Sequence, residues 1–295
     1  MKLLITGATG VIGARFIQKL RRNTGYEIRI LIRSHNIKHN EITEIETVPG
    51  ELNQADSLIR ASSDIDTIIH LAAITHTHET GLYHEVNLLG TERLIQAAKR
   101  CGVRRFIFLS TKVASYSGGG YARSKILAEE CVRKSGFEWV IIRPAEVYGA
   151  GGSDSIQKTI NIVKNGYPLP ILGKGDFTLA PVFVDDVVNG IIATIDNPAV
   201  TRKIICLNGP KEYSFVEMVE VLENHFGKKI LKVYLPVLLA KMLAYLLYLL
   251  KSDLLYRDQI HRLLCPKTNG DNCSFDDLGI QPRRLEETIE TICQA

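Results

Sequence analysis

The first thirteen residues, MKLLITGATGVIG, restrict what this chain can fold into more than any other stretch. Residues 2–6 form a short, apolar, β-biased run, and residues 11–20 carry apolar side chains at helical spacing. Gly7, Gly10 and Gly13 therefore fall on a strand-to-helix turn. Without a Cβ, backbone there can be approached closely, and the amides of Val11, Ile12 and Gly13 at the helix start can meet a pyrophosphate. The spacing is G-x-x-G-x-x-G, not the G-x-G-x-x-G of the usual dinucleotide fingerprint. Its place in an opening β-α unit favours nucleotide binding over a plain tight turn.

Strand and helix signals alternate after that turn. Strands are predicted at 2–6, 27–32, 47–48, 67–71, 105–110 and 139–143, with helices at 11–22, 54–61, 83–101 and 121–135. This order predicts an α/β fold, a Rossmann-type doubly wound parallel sheet with helices on both faces. Ligands of such sheets bind at the carboxyl ends of the strands. Gly149-Ala-Gly-Gly152 marks a change in composition. The expected division is a nucleotide-binding domain over 1–150, to which 181–203 returns, and a smaller C-terminal substrate lobe from 151–180 and 204–295.

At 295 residues the chain can hold one large core plus a small lobe. A net charge of +4 without basic clusters gives no case for nucleic acid. The six cysteines show no C-x-x-C pair, which suits free thiols in a reducing compartment. With the first strand beginning at residue 2, no leader is expected, and the localisation implied is cytoplasmic. The run LPVLLAKMLAYLLYLL at 235–250 tests that reading. It is shorter than the ~20 residues a membrane span requires and contains Lys241. A helix buried in the lobe or against a second copy, as in a homodimer, is expected, with membrane-surface contact through 237–250 as the alternative.

Tyr121 and Lys125 lie four apart at the start of a helical run, so both project from one face. An ammonium beside a phenol favours the phenolate, which suits Tyr121 for general acid/base work. The preceding strand, FIFLST (106–111), ends in two hydroxyls at the edge where a substrate should sit. On a dinucleotide-binding sheet these groups make a site for hydride transfer.

TGATGVIG (6–13), HLAA (70–73), VNLLGT (86–91), FLST (108–111), YARSK (121–125), IIRPAEVYG (141–149), VFVDDVV (182–188) and DLGIQPRRLEETI (277–289) occur in this order. In these motifs the sequence resembles the extended short-chain dehydrogenase/reductase (SDR) branch, the NAD(P)-dependent epimerase/dehydratase family. The resemblance implies Tyr121 as acid/base, Lys125 on the nicotinamide ribose and the hydroxyl of Thr111 on the reacting carbinol, with Ser110 as second candidate. It further implies a cofactor held by Gly7, Gly10, Val11, Ile12, Gly13, Leu71, Ala72, Ala73, Arg143 and Pro144, and by Glu51 and Leu52 where the family often has Gly-Asp-Leu. Asn87 would support the site or tie its helix to a strand.

Three departures bear on specificity. The loop between Thr111 and Tyr121 is short, and Thr178-Leu179-Ala180-Pro181 lacks the arginine with which sugar-nucleotide epimerases hold substrate phosphates. Lys174, Arg257 or Arg262 could supply that charge. The second strand ends in Arg33 and Ser34 without the carboxylate that reads a ribose diol, which tips the cofactor toward NADP(H) over NAD(H). His70, His76 and His78 lack ligand spacing, so no metal is expected, and Asp185 and Asp186 read as helix caps. The implied substrate is a small molecule, first a nucleotide-linked sugar. A single-step ketone or alcohol reductase and a non-catalytic nucleotide-binding scaffold are the alternatives.

Overall fold

The computed structural model describes residues 1–22, 25–33, 45–149, 155–252, 254–265, 267 and 274–294. β1 (Lys2–Thr6), α1 (Val11–Leu20), β2 (Glu27–Ile32), β3 (Glu46–Pro49), α2 (Ala55–Ser62) and β4 (Thr67–His70) come first. A helix in three parts follows: α3 (Thr80–Leu82), a π-helical stretch (Tyr83–Leu89) and α4 (Gly90–Arg100). Then come β5 (Arg105–Leu109), α5 (Gly119–Arg133), β6 (Glu138–Pro144), β7 (Val147–Tyr148), α6 (Ser155–Asn165), β8 (Leu169–Leu172), β9 (Thr178–Leu179) and β10 (Val182–Phe183). The chain closes with α7 (Val184–Ile195), β11 (Lys203–Leu207), β12 (Tyr213–Ser214), α8 (Phe215–Phe226), β13 (Lys232–Leu235), α9 (Val237–Leu249), α10 (Arg257–Leu264) and α11 (Leu285–Gln294).

Seven strands form one sheet in the order β11-β6-β5-β4-β1-β2-β3. Every neighbouring pair is parallel. From β1 the chain winds first toward β3 and then back toward β6, so the switch point lies between β1 and β4. Successive side chains of a strand point to opposite faces, which splits the core in two. Leu3, Ile5, Ile69 and Ile107 meet Phe16 and Leu20 of α1 and Val187 and Ile191 of α7. Leu4, Ile68, Phe106 and Phe108 meet Leu58 of α2, Leu94 and Ala98 of α4 and Val132 of α5. Burial on both faces is why β1 reads as a continuous apolar run.

Lys203–Leu207 adds the seventh strand, so the segment returning to the sheet extends through Leu207. A third apolar cluster joins Ile160, Val163, Ile171, Met218, Leu222 and Ile289 with Tyr148, Phe183 and Val184. Within it, α8 starts on a reciprocal cap between Ser214 and Glu217 and ends on Gly227 at φ 62°.

One expectation fails, and another fails in its first alternative. Asp185 and Asp186 sit in the first turn of α7, and neither caps it. Asp185 pairs with Arg15 of α1, and Asp186 with Arg283, so the two carboxylates clamp other elements to α7. The helix at 237–249 is also not buried in the lobe. Only Ala240 and Ala244 are, against Ile260, Leu172 and Leu255. Two small residues four apart make one narrow contact stripe flanked by half-buried Val237 and Leu247, while Leu238, Leu239, Leu243, Leu246 and Leu249 are exposed. Among the described residues no helix is long and apolar enough to cross a membrane.

Candidate active site

The three glycines of the first turn meet different surroundings. Gly7 has φ +76°, and a Cβ on it would lie 2.5 Å from the Ala72 nitrogen and 2.7 Å from the Leu71 carbonyl carbon. A Cβ on Gly13 would lie 2.1 Å from the Gly7 oxygen. Both positions are closed by the protein's own backbone. Gly10 is exposed, and a Cβ there would meet only the Gly7 oxygen, at an ordinary 3.4 Å. Packing does not demand glycine at position 10, whereas close approach of a ligand would. α1 has no side-chain N-cap and no acid in its first turn, so its opening amides are left for an anion. This cradle fits a dinucleotide pyrophosphate.

Thr6 fixes the neighbouring strand exit. Its carbonyl accepts the Leu71 N–H at 3.1 Å and its hydroxyl accepts the Ala72 N–H at 3.3 Å. The same hydroxyl hydrogen-bonds His70 Nδ1 at 2.6 Å, and His70 Nε2 meets the Thr91 hydroxyl at 3.0 Å. His70 is wholly buried and stacks on Phe108. Burial, with the nearby Lys125 charge, pulls its pKa down to about 3, so it is neutral and structural. Among the described residues no group of His, Cys, Asp or Glu could hold a metal ion. Leu71, Ala72 and Ala73 remain partly open, as do Glu51 and Leu52 in the turn after β3. Arg33 is exposed just past β2, while Ser34 lies outside the described residues.

The structure brings the proposed catalytic side chains to the sheet's carboxyl edge by way of β5 and α5. Lys125 is buried, donates to the Leu109 carbonyl at 2.7 Å and lies 4.1 Å from the Phe108 ring centre. Burial lowers its pKa to about 7, with Glu129 opposing that shift. Ser110 and Thr111 follow Leu109, and they differ. Ser110 is buried and donates to Glu129 at 2.5 Å. Glu129 also holds Arg143 by two bonds, at 2.9 and 2.6 Å. Ser110 and the Arg143 guanidinium are thus bound to a buried carboxylate. Thr111 is half-buried, and its hydroxyl accepts the Val113 N–H at 3.4 Å. The Pro144 carbonyl accepts the Lys112 N–H at 2.9 Å, which ties the end of β6 to the Thr111 loop.

Asn87 ties its helix to the loop after β4 and to α5, not to a strand. Its amide exchanges two bonds with the Ile74 backbone and donates to Ser124 on α5, beside Lys125. It lies in the π-helical stretch, a local distortion the apolar period did not reveal.

Sequence reasoning left α10 in the lobe without a role at Tyr121, yet α10 packs on the first turn of α5. A Cβ on Gly119 would lie 2.4 Å from Asp258 Oδ1, so the glycines of the short SYSGGG loop are what let α10 approach. Asp258 accepts the Tyr121 N–H at 3.4 Å and pairs with Arg262 at 3.0 Å. The Arg262 guanidinium stands 4.7 Å from the Tyr121 ring centre and donates to the Thr75 carbonyl. The ring of Tyr83 meets Tyr121 edge-on. His76 and His78 meet Tyr256 with tilted rings, and His78 hydrogen-bonds the Ser252 carbonyl. Burial and the cations of Arg262 and Lys158 hold His76 down at about 4. Of Lys174, Arg257 and Arg262, the cations offered from sequence for substrate phosphates, Arg262 is the one beside Tyr121, and Asp258 carried no signal in the sequence.

A doubly wound parallel sheet, opened by a glycine turn and carrying a Tyr-x-x-x-Lys helix beside its central strands, defines a nucleotide-binding α/β protein. Residues 3–207 match the NAD dependent epimerase/dehydratase family, and the chain belongs to that family. It is an enzyme of the short-chain dehydrogenase/reductase superfamily. It is 26% identical over 281 residues to UDP-glucose 4-epimerase of Vibrio cholerae, covering 86% of this chain and 84% of that protein. A 3 beta-hydroxysteroid dehydrogenase/Delta 5-->4-isomerase of Mycobacterium tuberculosis is 27% identical over 220 residues, covering 65% of this chain and 59% of the other. The crystal structure of a Thermotoga maritima UDP-glucose 4-epimerase with UDP-glucose has the same fold, with TM-score 0.78, 20% identity and 100% and 98% of the two chains covered.

Proposed function

We propose that this enzyme moves hydride at a secondary carbinol or carbonyl of a nucleotide-linked sugar. Tyr121 exchanges the proton at the substrate oxygen, Thr111 donates a hydrogen bond to that oxygen, and Lys125 serves the cofactor ribose and the field around the phenol. Gly7, Gly10, Gly13 and the first amides of α1 hold the pyrophosphate, and Glu51, Leu52 and residues 71–73 line the nucleoside side. A bound nicotinamide dinucleotide supplies the hydride donor or acceptor. Arg33, with no carboxylate at the end of β2, favours NADP(H) over NAD(H). The observation that carries the substrate reading is the cation beside Tyr121. Arg262 lies over Tyr121, and Lys158 acts on the same loop at His76, which suits a substrate carrying phosphates.

A single-step reductase of a ketone or alcohol is the second reading, because Leu179 and Ala180 are buried where sugar-nucleotide epimerases carry a phosphate-binding arginine. Incubation with a panel of nucleotide sugars separates the two. Inversion without net cofactor consumption is expected, and Tyr121→Phe should lower turnover by ~10²–10⁴-fold while leaving cofactor affinity intact. Stoichiometric oxidation of NADPH with a simple ketone would replace the epimerase by the reductase.

A further inference from the structure

The exposed side of α9 is the largest feature that the reaction does not use. On a wheel of about 100° per residue, Leu238, Leu249, Met242, Leu246, Leu239 and Leu243 fill one continuous aliphatic face. Leu238 is 73% exposed and Met242 62% exposed. Tyr245, Lys241 and Tyr248 border that face, and the open arc is roughly 220° wide. The apolar surface runs on through Leu231, Val233 and Tyr234 at β13 and through Leu250 and Leu254 beyond α9.

We propose that α9 with β13 is a docking surface for a lipid bilayer containing anionic headgroups. Three observations favour a bilayer over a second copy of this chain. Packing against one protein element needs an apolar stripe of about 100°, and α9 already uses such a stripe at Ala240 and Ala244. A face twice that width suits a medium that wraps around the helix. The charge matches as well. Residues 228–264 hold seven lysines and arginines and two aspartates, of which Lys229 and Lys232 pair with Glu223 and Arg262 with Asp258. α9 itself has no acid, Lys251 follows it, Lys174 follows Gly173, whose N–H bonds the Leu235 carbonyl just before α9, and Arg257 stands over the rings of Tyr245 and Tyr248. Aliphatic residues edged by tyrosine and lysine are the layout of a helix lying in a membrane interface, where long cations reach the headgroups. At 13 residues, about 20 Å, α9 is too short to span and long enough to lie in the surface.

Docking would also place the site at the membrane. α9 packs on α10, and α10 carries Asp258 and Arg262 to Tyr121. An amphiphilic substrate could then enter the mouth from the lipid side. The docking itself does not rest on the proposed reaction, because it needs no turnover.

Flotation of the full chain with phosphatidylcholine vesicles containing phosphatidylglycerol tests it. The wild type should float with the vesicles and lose much of that binding in pure phosphatidylcholine or at high salt. Leu238→Glu combined with Met242→Glu, at two exposed positions, should reduce the floated fraction about tenfold or more with an unchanged melting temperature. Tyr121→Phe should float like the wild type. The docking surface is overturned if the wild type stays below the vesicles, if the double variant floats equally well, or if light scattering finds a dimer that the double variant dissociates.

Discussion

The glycine turn and the α9–α10 segment meet opposite ends of one loop and are built on opposite rules. Gly7 abuts Leu71 and Ala72 at the start of the loop, and Arg262, Tyr256 and Ser252 hold Thr75, His76 and His78 at its end. The first region closes on itself through backbone, within thirteen residues of sequence and one strand exit. The second reaches its partners across more than a hundred residues, through side chains and a helix whose apolar side is left uncovered. Backbone approach to a pyrophosphate needs only missing Cβ atoms and helix amides, which a local motif can encode. A surface for substrate or membrane has to be assembled from distant elements.

The sharpest way to break this contrast is to add side chains to the turn. Gly10→Val should lower nucleotide affinity by orders of magnitude in a folded protein, because only the ligand needs that space. Gly13→Val should instead unfold or strongly destabilise the chain, since its Cβ would meet the Gly7 oxygen at 2.1 Å. Calorimetric titration of the first and the denaturant midpoint of the second check the pair. Equal stability losses in both would mean that Gly10 is a packing glycine too.

On the other side of the loop, Arg262→Ala should raise the substrate KM or lower kcat/KM by ten- to a hundredfold, the range of a charge-assisted contact of ~1.5–3 kcal/mol. Cofactor affinity should not change. A selective loss of cofactor affinity instead would move Arg262 from the substrate side to the nucleotide side. Arg33→Ala makes the converse test with a smaller effect. It should weaken NADP(H) by about tenfold and leave NAD(H) nearly unaffected, because one exposed arginine would read the 2′-phosphate. Tighter binding of NAD(H) by the wild type would reverse that assignment.

The same contrast decides what was legible in the sequence. The strands from β1 to β6 and their parallel order followed from apolar runs alternating with helical periods, and Gly7, Gly10, Gly13, Tyr121 and Lys125 stood out by spacing together with the strand that precedes each group. Thr111 ranked ahead of Ser110 only through the family resemblance, because what separates them physically is Glu129, nineteen residues from Ser110, which holds Ser110 and Arg143 together. Arg262 stood among three cations for a substrate phosphate, and nothing in the spacing tied it or Asp258 to Tyr121 before the glycines at 118–120 brought α10 there. The helix at 237–249 was visible as a helix, but hydropathy reports what a segment would bury and not whether the fold offers anything to bury it. Its exposure is a tertiary fact.

The smallest expected effect compares the two ends of the loop by pH. His70 has a native pKa near 3, pulled down first by burial, against about 6.5 for a free histidine. Between those values the unfolded chain binds a proton that the native chain does not, so stability falls as pH drops from about 6.5 toward 3. The slope from this one group is at most ~1.4 kcal/mol per pH unit. His70→Gln can still hydrogen-bond Thr6 and Thr91, and it should flatten the acid limb by one proton when midpoints are compared with the wild type. Carboxylates titrating in the same range are common to both proteins and cancel in the difference. His76 is held down at about 4 by burial, Arg262 and Lys158, and it sits on a half-open loop. His76→Gln should therefore change the slope less, and in an Arg262→Ala background less still. Proton resonances of the two rings give a direct readout. The His70 ring should not titrate above about pH 4, whereas that of His76 should move toward its ordinary value once Arg262 is removed. A His70 that titrates near neutrality would mean that the strand exit beside Gly7 opens to water, and the rigid side of the comparison would no longer be rigid.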